Sequence, residues 1–425
     1  MIKIGVIFGG RSGEHDISLM SAASVIRALD RTKFEPLFFG ITRTGEWKHF
    51  EGSPDDIENG KWEETAKPFN IGNLKEMIDF ALPILHGPYG EDGTVQGMFE
   101  ILDIPYGGCG VLASAAAMDK GIAKDIFAKA GLPICKHALV FAEDMCVEVE
   151  ADEALEASVD VEKTATSTEI DADASAKSDA DAKYEADVQY EESDAKIGES
   201  DARAKCSATE GMDAKSGVVG TARARRFDDG MLATMAAQIE EQVPYPMFVK
   251  PANMGSSVGI NKAKDRDSLI SALKEAAHYD RRIVVEQGIN CRELETGVIG
   301  NHFPEAAAVG EIKSSDEFYD YDAKYVDGHS QMCIPADISE DIREEIRSLA
   351  IKAYMAIDCA GFARVDFFLE KETNKVYINE INTIPGFTRF SMFPGLWAEA
   401  GVPYSELIER IVEFGYERHN AKNSR

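Results

Sequence analysis

A mixed α/β and α+β protein is what this sequence predicts, and three observations predict it. Apolar strands alternate with helical patterns through the first hundred residues, the arrangement of a parallel βαβ-type domain. Near the C-terminus two strands with regularly spaced polar residues flank a short polar turn, which reads as a β-hairpin. The chain has 425 residues, and at roughly 150 per domain that makes two or three domains.

Each element has its own signal. Residues 2–8 form an apolar run stopped by Gly9-Gly10, a buried strand. Residues 18–29 place Leu19, Ala22, Ala23 and Ile26 at helical spacing. Residues 36–41 and 80–85 are further strands, the latter ending at His86-Gly87-Pro88. Residues 119–130 read as a helix closed by Gly131, with Pro133 beyond it. Residues 246–249 and 282–286 are short strands. Residues 340–357 form an amphipathic helix on Ile342, Ile346, Leu349, Ala350 and Ala353. Residues 362–369 and 375–381 are the hairpin strands.

Residues 151–210 change character. They hold 18 Asp or Glu against 6 Lys or Arg, with 14 Ala, 6 Leu, Ile or Val, and no Phe, Trp or Pro. Ordering a residue costs about 1–2 kcal/mol of backbone entropy, and so little apolar surface does not offset it. The expectation is a disordered or loosely helical insertion without a catalytic part; a partner-binding arm is the alternative.

Composition excludes several classes. Lys plus Arg is 45, Asp plus Glu is 75, and the formal charge is -30. Without a sustained basic run, neither nucleic acid nor an anionic membrane is an expected partner. No apolar run approaches the roughly 20 residues that span a bilayer. The first ten residues read as a strand, not a signal peptide. Seven scattered cysteines with no C-x-x-C pair suit a reducing cytoplasm.

Five constellations carry chemistry. In the hairpin, Arg364 and Asp366 share one strand face, and Glu380 and Asn382 share another. With a constant index sum of 746, Asp366 faces Glu380 and Arg364 faces Asn382 about a turn centred on Thr373. Two carboxylates about 5 Å apart repel unless a cation joins them. Together with an amide oxygen they make a hard-oxygen set suited to Mg²⁺; solvated charges on an exposed face are the alternative. Lys250 ends a strand and enters a Gly- and Ser-rich loop through Ser256, Ser257 and Gly259, which fits a phosphate cradle or an ordinary hairpin turn. Gly9 to Asp16 precedes a helix whose N-terminus favours an anion, with Glu14 placed for an ammonium group; a capped tight turn fits equally. His86 opens a shaped loop, His86 to Gly93, at a strand end, where ligands of parallel sheets bind; a structural histidine is the alternative. Phe318 to Tyr325 is an aromatic segment carrying Lys324, either a lid over a phosphate or a loop packed on the core.

In this order the motifs resemble the D-alanine–D-alanine ligases of the ATP-grasp superfamily. The resemblance rests on GG-x-S-x-E at 9–14, HGPYGEDG at 86–93, MDK at 118–120, VKPANMGSSVGI at 249–260, EFYDYDAKY at 317–325, GFARVDFF at 361–368 and NEINTIPGFT at 379–388. It spans nearly the whole chain except about 147–228. It implies an ATP-grasp fold of three parts: a Rossmann-like substrate domain over 1–108, a central domain over 109–286 holding the acidic insertion, and a third over 287–425 with the metal hairpin and lid. ATP would lie between the antiparallel sheets of the last two.

The resemblance also implies roles. Lys120, Lys250 and Lys324 would meet ATP phosphates alongside Ser256, Ser257 and Gly259. Glu286 and Ile289 would bracket the adenine edge, Glu293 would lie at the ribose, and Phe318 would belong to the same nucleotide set. Asp366, Glu380 and Asn382 would hold two Mg²⁺ or Mn²⁺ ions. Arg364 and the Gly386 N–H would form the oxyanion hole. Glu14 would hold the first amino group, with Ser256 and Tyr325 latching the lid. His86 would lie near the first substrate and Ser391 near the second carboxylate. The implied reaction joins two D-alanines through an acyl phosphate, for peptidoglycan precursors, in the cytoplasm of a bacterium and in a homodimer. Tyr325 favours an amino acid over D-lactate as acceptor; D-serine is harder to exclude. A nucleotide-binding regulator without turnover is the remaining reading.

Overall fold

The computed structural model describes residues 1–150, 223–255, 258–313 and 331–424. The acidic segment from 151 to 222 lies outside them.

The first sheet is built on β1 (Ile2–Gly9). It runs parallel to β2 (Phe34–Ile41) on one side and, on the other, to β5 (Phe80–Ile84). Beyond β2 the sheet turns antiparallel through β3 (Trp47–Phe50) and β4 (Lys67–Pro68). The expected βαβ core is present; the two short edge strands are an addition, too brief to show alternation. As a central strand β1 is covered on both faces, hence its unbroken apolar run. Helix α1 (His15–Ala28) buries Leu19, Ala22, Val25 and Ile26 against the sheet region. Because β2 and β5 flank β1, the loops after β1 and β5 diverge at a topological switch point and leave a crevice there.

Helices α2 (Thr94–Leu102), α3 (Val111–Met118) and α4 (Lys120–Lys129) follow. Asp119 caps α4, accepting the Ile122 N–H at 3.0 Å, and Gly131 ends that region at φ +72°. The second sheet contains β6 (His137–Phe141).

Next come β7 (Cys146–Glu150) and β8 (Arg223–Phe227), which pair antiparallel as a unit of their own over 146–228. Their register sets Glu150 opposite Arg223 and Glu148 opposite Arg225.

The main unit resumes with α5 (Asp229–Glu240), β9 (Met247–Pro251), β10 (Asn261–Ala263), α6 (Arg266–Ala276) and β11 (Arg282–Gln287). The second sheet has the order β10-β9-β11-β6 and is antiparallel throughout. The third comprises β12 (Cys291–Ile299), β13 (Glu305–Lys313), β14 (Gln331–Cys333), β15 (Phe362–Glu370) and β16 (Val376–Asn382). Its order is β14-β13-β12-β15-β16, again antiparallel.

Helix α7 (Glu340–Ala356) packs Ile346, Leu349, Ala350 and Ala353 in a cluster with Leu294, Val298 and Val365 of the third sheet. A second cluster joins Ile299 and Phe362 to α8 (Met392–Glu399) and α9 (Tyr404–Asn423) through Phe393, Trp397 and Leu407. Each fully buried Leu, Ile or Phe contributes about 1.5–3 kcal/mol. The result is a rigid floor under the polar face of β15 and β16.

Candidate active site

A cleft of about 1060 Å³ runs past the loops after β1 and β5 and between residues of the second and third sheets. Among the sequence-predicted residues, Glu14, His86, Lys120, Lys250, Glu286, Ile289, Glu293, Arg364, Glu380, Asn382 and Gly386 line it. Residues 256, 257, 318, 324 and 325 lie outside the described residues, so the expectations for Ser256, Ser257, Phe318, Lys324 and Tyr325 meet no geometry.

One end is built by the first sheet. Gly9 and Gly10 turn the chain at φ +87° and +102°, and the Gly9 N–H donates to Ser18 Oγ at 2.8 Å. Glu14 occupies the N-cap of α1, yet its side chain makes no capping bond. Its carboxylate points across the cleft mouth: a Cβ on Gly87 would lie 2.6 Å from Oε2, and one on Gly255 would lie 3.0 Å away. Gly87 also has φ +71°, so that position needs glycine twice over. Three motifs far apart in sequence thus meet at one carboxylate.

His86 is buried, with Nδ1 2.8 Å from the Ile384 carbonyl and Nε2 3.2 Å from Ser21 Oγ. Burial holds its pKa below the ordinary histidine value, against the pull of Glu14. His86 therefore pins its loop to the segment after β16, as the structural alternative expects, and it also lines the cleft. Glu91 was not singled out from sequence. Its Oε2 accepts the Gly87 N–H at 2.8 Å and its Oε1 the Ile384 N–H at 2.9 Å. Burial, with Glu14 adding to it, pushes its pKa up to about 8 despite those two donors.

At the other end lysines gather on two glutamates. Lys250 Nζ is 3.2 Å from Glu286 Oε2, and Lys124 Nζ is 3.3 Å from Oε1. Lys120 Nζ is 3.6 Å from Glu380 Oε2 and donates to the Met254 carbonyl at 2.8 Å. Burial works against the Lys250 charge, but Glu286 and Glu380 outweigh it and hold its pKa above the usual lysine value. Burial likewise raises Glu286, and the two lysines more than reverse that. Glu286 thus sits in the cleft wall with both oxygens facing ammonium groups. Lys124 is the residue missed here. It lies four positions after Lys120, one helical turn on, and that spacing was the available signal.

The hairpin register is as expected where it matters. Arg364 pairs with Asn382 and Asp366 with Glu380. Beyond Asp366 the register shifts, so that Phe367 pairs with Ile378 and the index sum falls to 745. The constant-sum expectation, with its turn centred on Thr373, fails there because Asn379 is an extra residue, a β-bulge. Its carbonyl accepts Lys124 Nζ at 3.1 Å.

The neighbouring strand completes an acidic row: Glu295 of β12 pairs with Asp366, which pairs with Glu380. Arg364 answers it. Nε lies 2.7 Å from Asp366 Oδ1 and 2.9 Å from Glu295 Oε2, and Nη2 lies 2.7 Å from Asp366 Oδ2. Asn382 Nδ2 donates to the same Oδ2 at 2.9 Å. Asp366 is therefore buried behind the cleft wall. Among the described residues no group of three His, Cys, Asp or Glu side chains converges as a metal cage. The set at issue is two carboxylates and one amide, hard oxygen donors on alternate rungs of one ladder, and that chemistry fits Mg²⁺.

Two expectations land elsewhere. Ser391 occupies the N-cap of α8 without a side-chain capping bond; its Oγ accepts the Thr388 N–H at 3.1 Å and lies 2.8 Å from the Thr388 hydroxyl. It stands behind Gly386, where a Cβ would come within 3.2 Å of its Oγ, so Gly386 and not Ser391 forms the wall. Gly259 is off the wall too, turned at φ +70° against Tyr279 and Pro251.

Family models match both ends of the chain: "D-ala D-ala ligase N-terminus" over residues 3–109 and "D-ala D-ala ligase C-terminus" over residues 222–413. A D-alanine–D-alanine ligase of Ruminiclostridium cellulolyticum is 40% identical over 443 aligned residues, covering 98% of this chain and 96% of the relative. The chain belongs to the D-alanine–D-alanine ligase family. Solved relatives agree in fold. The D-alanine–D-alanine ligase of Coxiella burnetii superposes with a TM-score of 0.70 at 26% identity, covering 100% of this chain and 96% of that one. The VanG D-Ala:D-Ser ligase of Enterococcus faecalis gives 0.67 at 28% identity, covering 97% and 99%. The family's ATP-grasp architecture accounts for the two antiparallel sheets that flank the cleft.

Proposed function

We propose that this chain joins two D-alanines into D-alanyl-D-alanine with hydrolysis of ATP to ADP, supplying peptidoglycan precursors. The observation that carries the reading is one cleft holding both an amino-acid end (Glu14, His86, Arg364, Gly386) and a polyphosphate end (Lys120, Lys250). The division into 1–108, 109–286 and 287–425 follows the same reading, with the nucleotide between the second and third sheets.

Glu14 takes the first D-alanine's ammonium, and its carboxylate faces the polyphosphate end. Lys120 and Lys250, with Lys324 from the lid, hold the phosphates, and Ile289 and Glu293 line the nucleoside part. The first carboxylate attacks the γ-phosphorus; ADP leaves and an acyl phosphate forms. The amine of the second D-alanine, whose carboxylate docks at the Gly386 wall in front of Ser391, attacks the acyl carbon, and phosphate departs. Arg364 and the Gly386 N–H point at the oxygen on which charge grows. Asp366, Glu380 and Asn382 would hold divalent cations, which would supply positive charge against the phosphates. Before that, Arg364 keeps Asp366 compensated, so the acidic row does not repel itself.

Phe318 and Tyr325 of the lid close over the bound substrates, with Ser256 and Ser257 at the phosphates. The six cysteines among the described residues are free thiols, and no helix among those residues is long and apolar enough to cross a membrane. These suit a bacterial cytoplasmic enzyme, and family analogy adds a homodimer.

The test is ADP release coupled to each acceptor. D-Alanine should support turnover in the presence of magnesium, and L-alanine and D-lactate should not. Turnover that required D-serine beside D-alanine would favour the specificity of the VanG D-Ala:D-Ser ligase; no ADP release with any D-amino acid would overturn the ligase reading.

A further inference from the structure

We propose that a second cavity, behind the His86 loop, binds a small monocarboxylate with a ring-sized apolar body. It has a volume of about 170 Å³ and is walled by Ile41, Trp47, Leu85, Val95 and Met98. An apolar cavity of about 150 Å³ accepts benzene, so this one has room for a six-membered ring and a small substituent.

The charge around it decides the substituent. The chain carries 75 acidic residues, yet none lines this cavity, and its one permanent cation is Arg11. Arg11 has no ion pair among the described residues. Its guanidinium carbon lies 5.0 Å from the centroid of the Tyr89 ring. Its stem crosses Gly45, where a Cβ would come 2.7 Å from Cδ. The guanidinium is thus laid along the rim between a bare backbone and an aromatic face, with donors left for a carboxylate. Tyr89 sits in the left-handed region at φ +67°, held by its N–H to Asp92 Oδ2 at 2.8 Å. Such a conformation costs about 1–3 kcal/mol in a residue other than glycine. Here it sets a half-exposed ring as the cavity's roof.

The site is separate from the main cleft but shares a wall with it. His86 lines both cavities, and Gly87 touches Glu14. An occupant would press on the loop that positions His86 and Glu14, and so alter the affinity for the first amino acid while leaving the nucleotide end untouched.

Benzoate, toluene and acetate, titrated separately into the full-length protein by ligand-observed NMR, test the binding without recourse to ligase activity. Benzoate should bind saturably, and in the presence of saturating D-alanine and ATP as well. Arg11→Gln should weaken it about tenfold, the share of one charged hydrogen bond. Thr94→Phe, which fills the cavity from a partly open wall, should abolish it. Toluene should bind more weakly, and acetate not measurably. In the coupled assay benzoate should shift the KM for D-alanine several-fold and not that for ATP. Displacement of benzoate by D-alanine, or equal binding by Arg11→Gln, would assign the ligand to the main cleft and overturn the proposal. So would the absence of saturable binding. Normal benzoate binding without ligase turnover would leave this site standing and sink only the functional reading.

Discussion

Replacing Lys124 with Met probes the lysine–glutamate cluster most directly. Met keeps the length and apolar stem but removes an ammonium that lies 3.3 Å from Glu286 Oε1 and 3.1 Å from the Asn379 carbonyl. Stripping one partner from a buried ion pair costs about 3–5 kcal/mol when the other charge is left alone. Lys250 still faces the second Glu286 oxygen at 3.2 Å, which reduces that loss. The orphaned carbonyl adds about 1–3 kcal/mol. The net expectation is roughly 2–4 kcal/mol, a large share of a typical total of about 5–15 kcal/mol. Urea unfolding followed through buried Trp62 and Trp397 reads it. The sign with pH is fixed by Glu286, whose folded pKa lies below its ordinary 4.5. Its contribution is present above that pH and is lost as pH falls through the folded value, so the gap between variant and parent should narrow in acid. Adding Glu286→Gln to Lys124→Met should cost less than the sum of the two single changes. A Lys124→Met protein that unfolds within about 0.5 kcal/mol of the parent, the range of an ordinary surface change, would refute the account of this cluster, as would strict additivity.

Three further outcomes follow from the site. Glu91 has a folded pKa near 8, so its unfolded form ionises first and stability should fall between about pH 4.5 and 8; Glu91→Gln should flatten that slope in thermal melts and remove an ionisation near 8 from the D-alanine KM profile. Arg364→Ala should abolish dipeptide synthesis while nucleotide binding, read by calorimetry, persists; pairing it with Glu295→Gln should recover part of the lost stability and none of the turnover, and unchanged turnover in the single variant would contradict the role of Arg364. Joining Glu150 to Arg223 through Asn-Gly, which suits a two-residue hairpin turn, removes 151–222 and should leave kcat/KM within a few-fold; failure to fold would show that the segment is needed.

The parts of the site legible in sequence were those encoded locally. Asp366 and Glu380 are brought together by a turn of a few residues, and the Asn379 bulge sets them opposite each other. The Gly-rich loops after β1 and β5 announce themselves by composition. Glu295 was hidden because β12 reaches β15 across the intervening β13, β14 and α7, a pairing that no local pattern encodes. Lys124 carried no signal beyond its place in a helix, because its burial depends on β11 and on the Asn379 bulge. Glu91 lay within a recognised motif, yet one of its two donors, the Ile384 N–H, comes from nearly three hundred residues away.

The extra residue at Asn379 acts as a phase shifter within one strand. On the side of Asp366 and Arg364, the even-numbered residues Glu380 and Asn382 of β16 sit on polar rungs; on the other side, the even-numbered Ile378 and Val376 pair with apolar Phe367 and Leu369. Removing that one amino acid would force the two segments into a common cadence, and a slip of one place in a strand exchanges its faces. Either the polar row facing the cleft or the apolar layer beneath would then be turned inside out, so this strand tolerates exchanges of side chain far better than a change in its count.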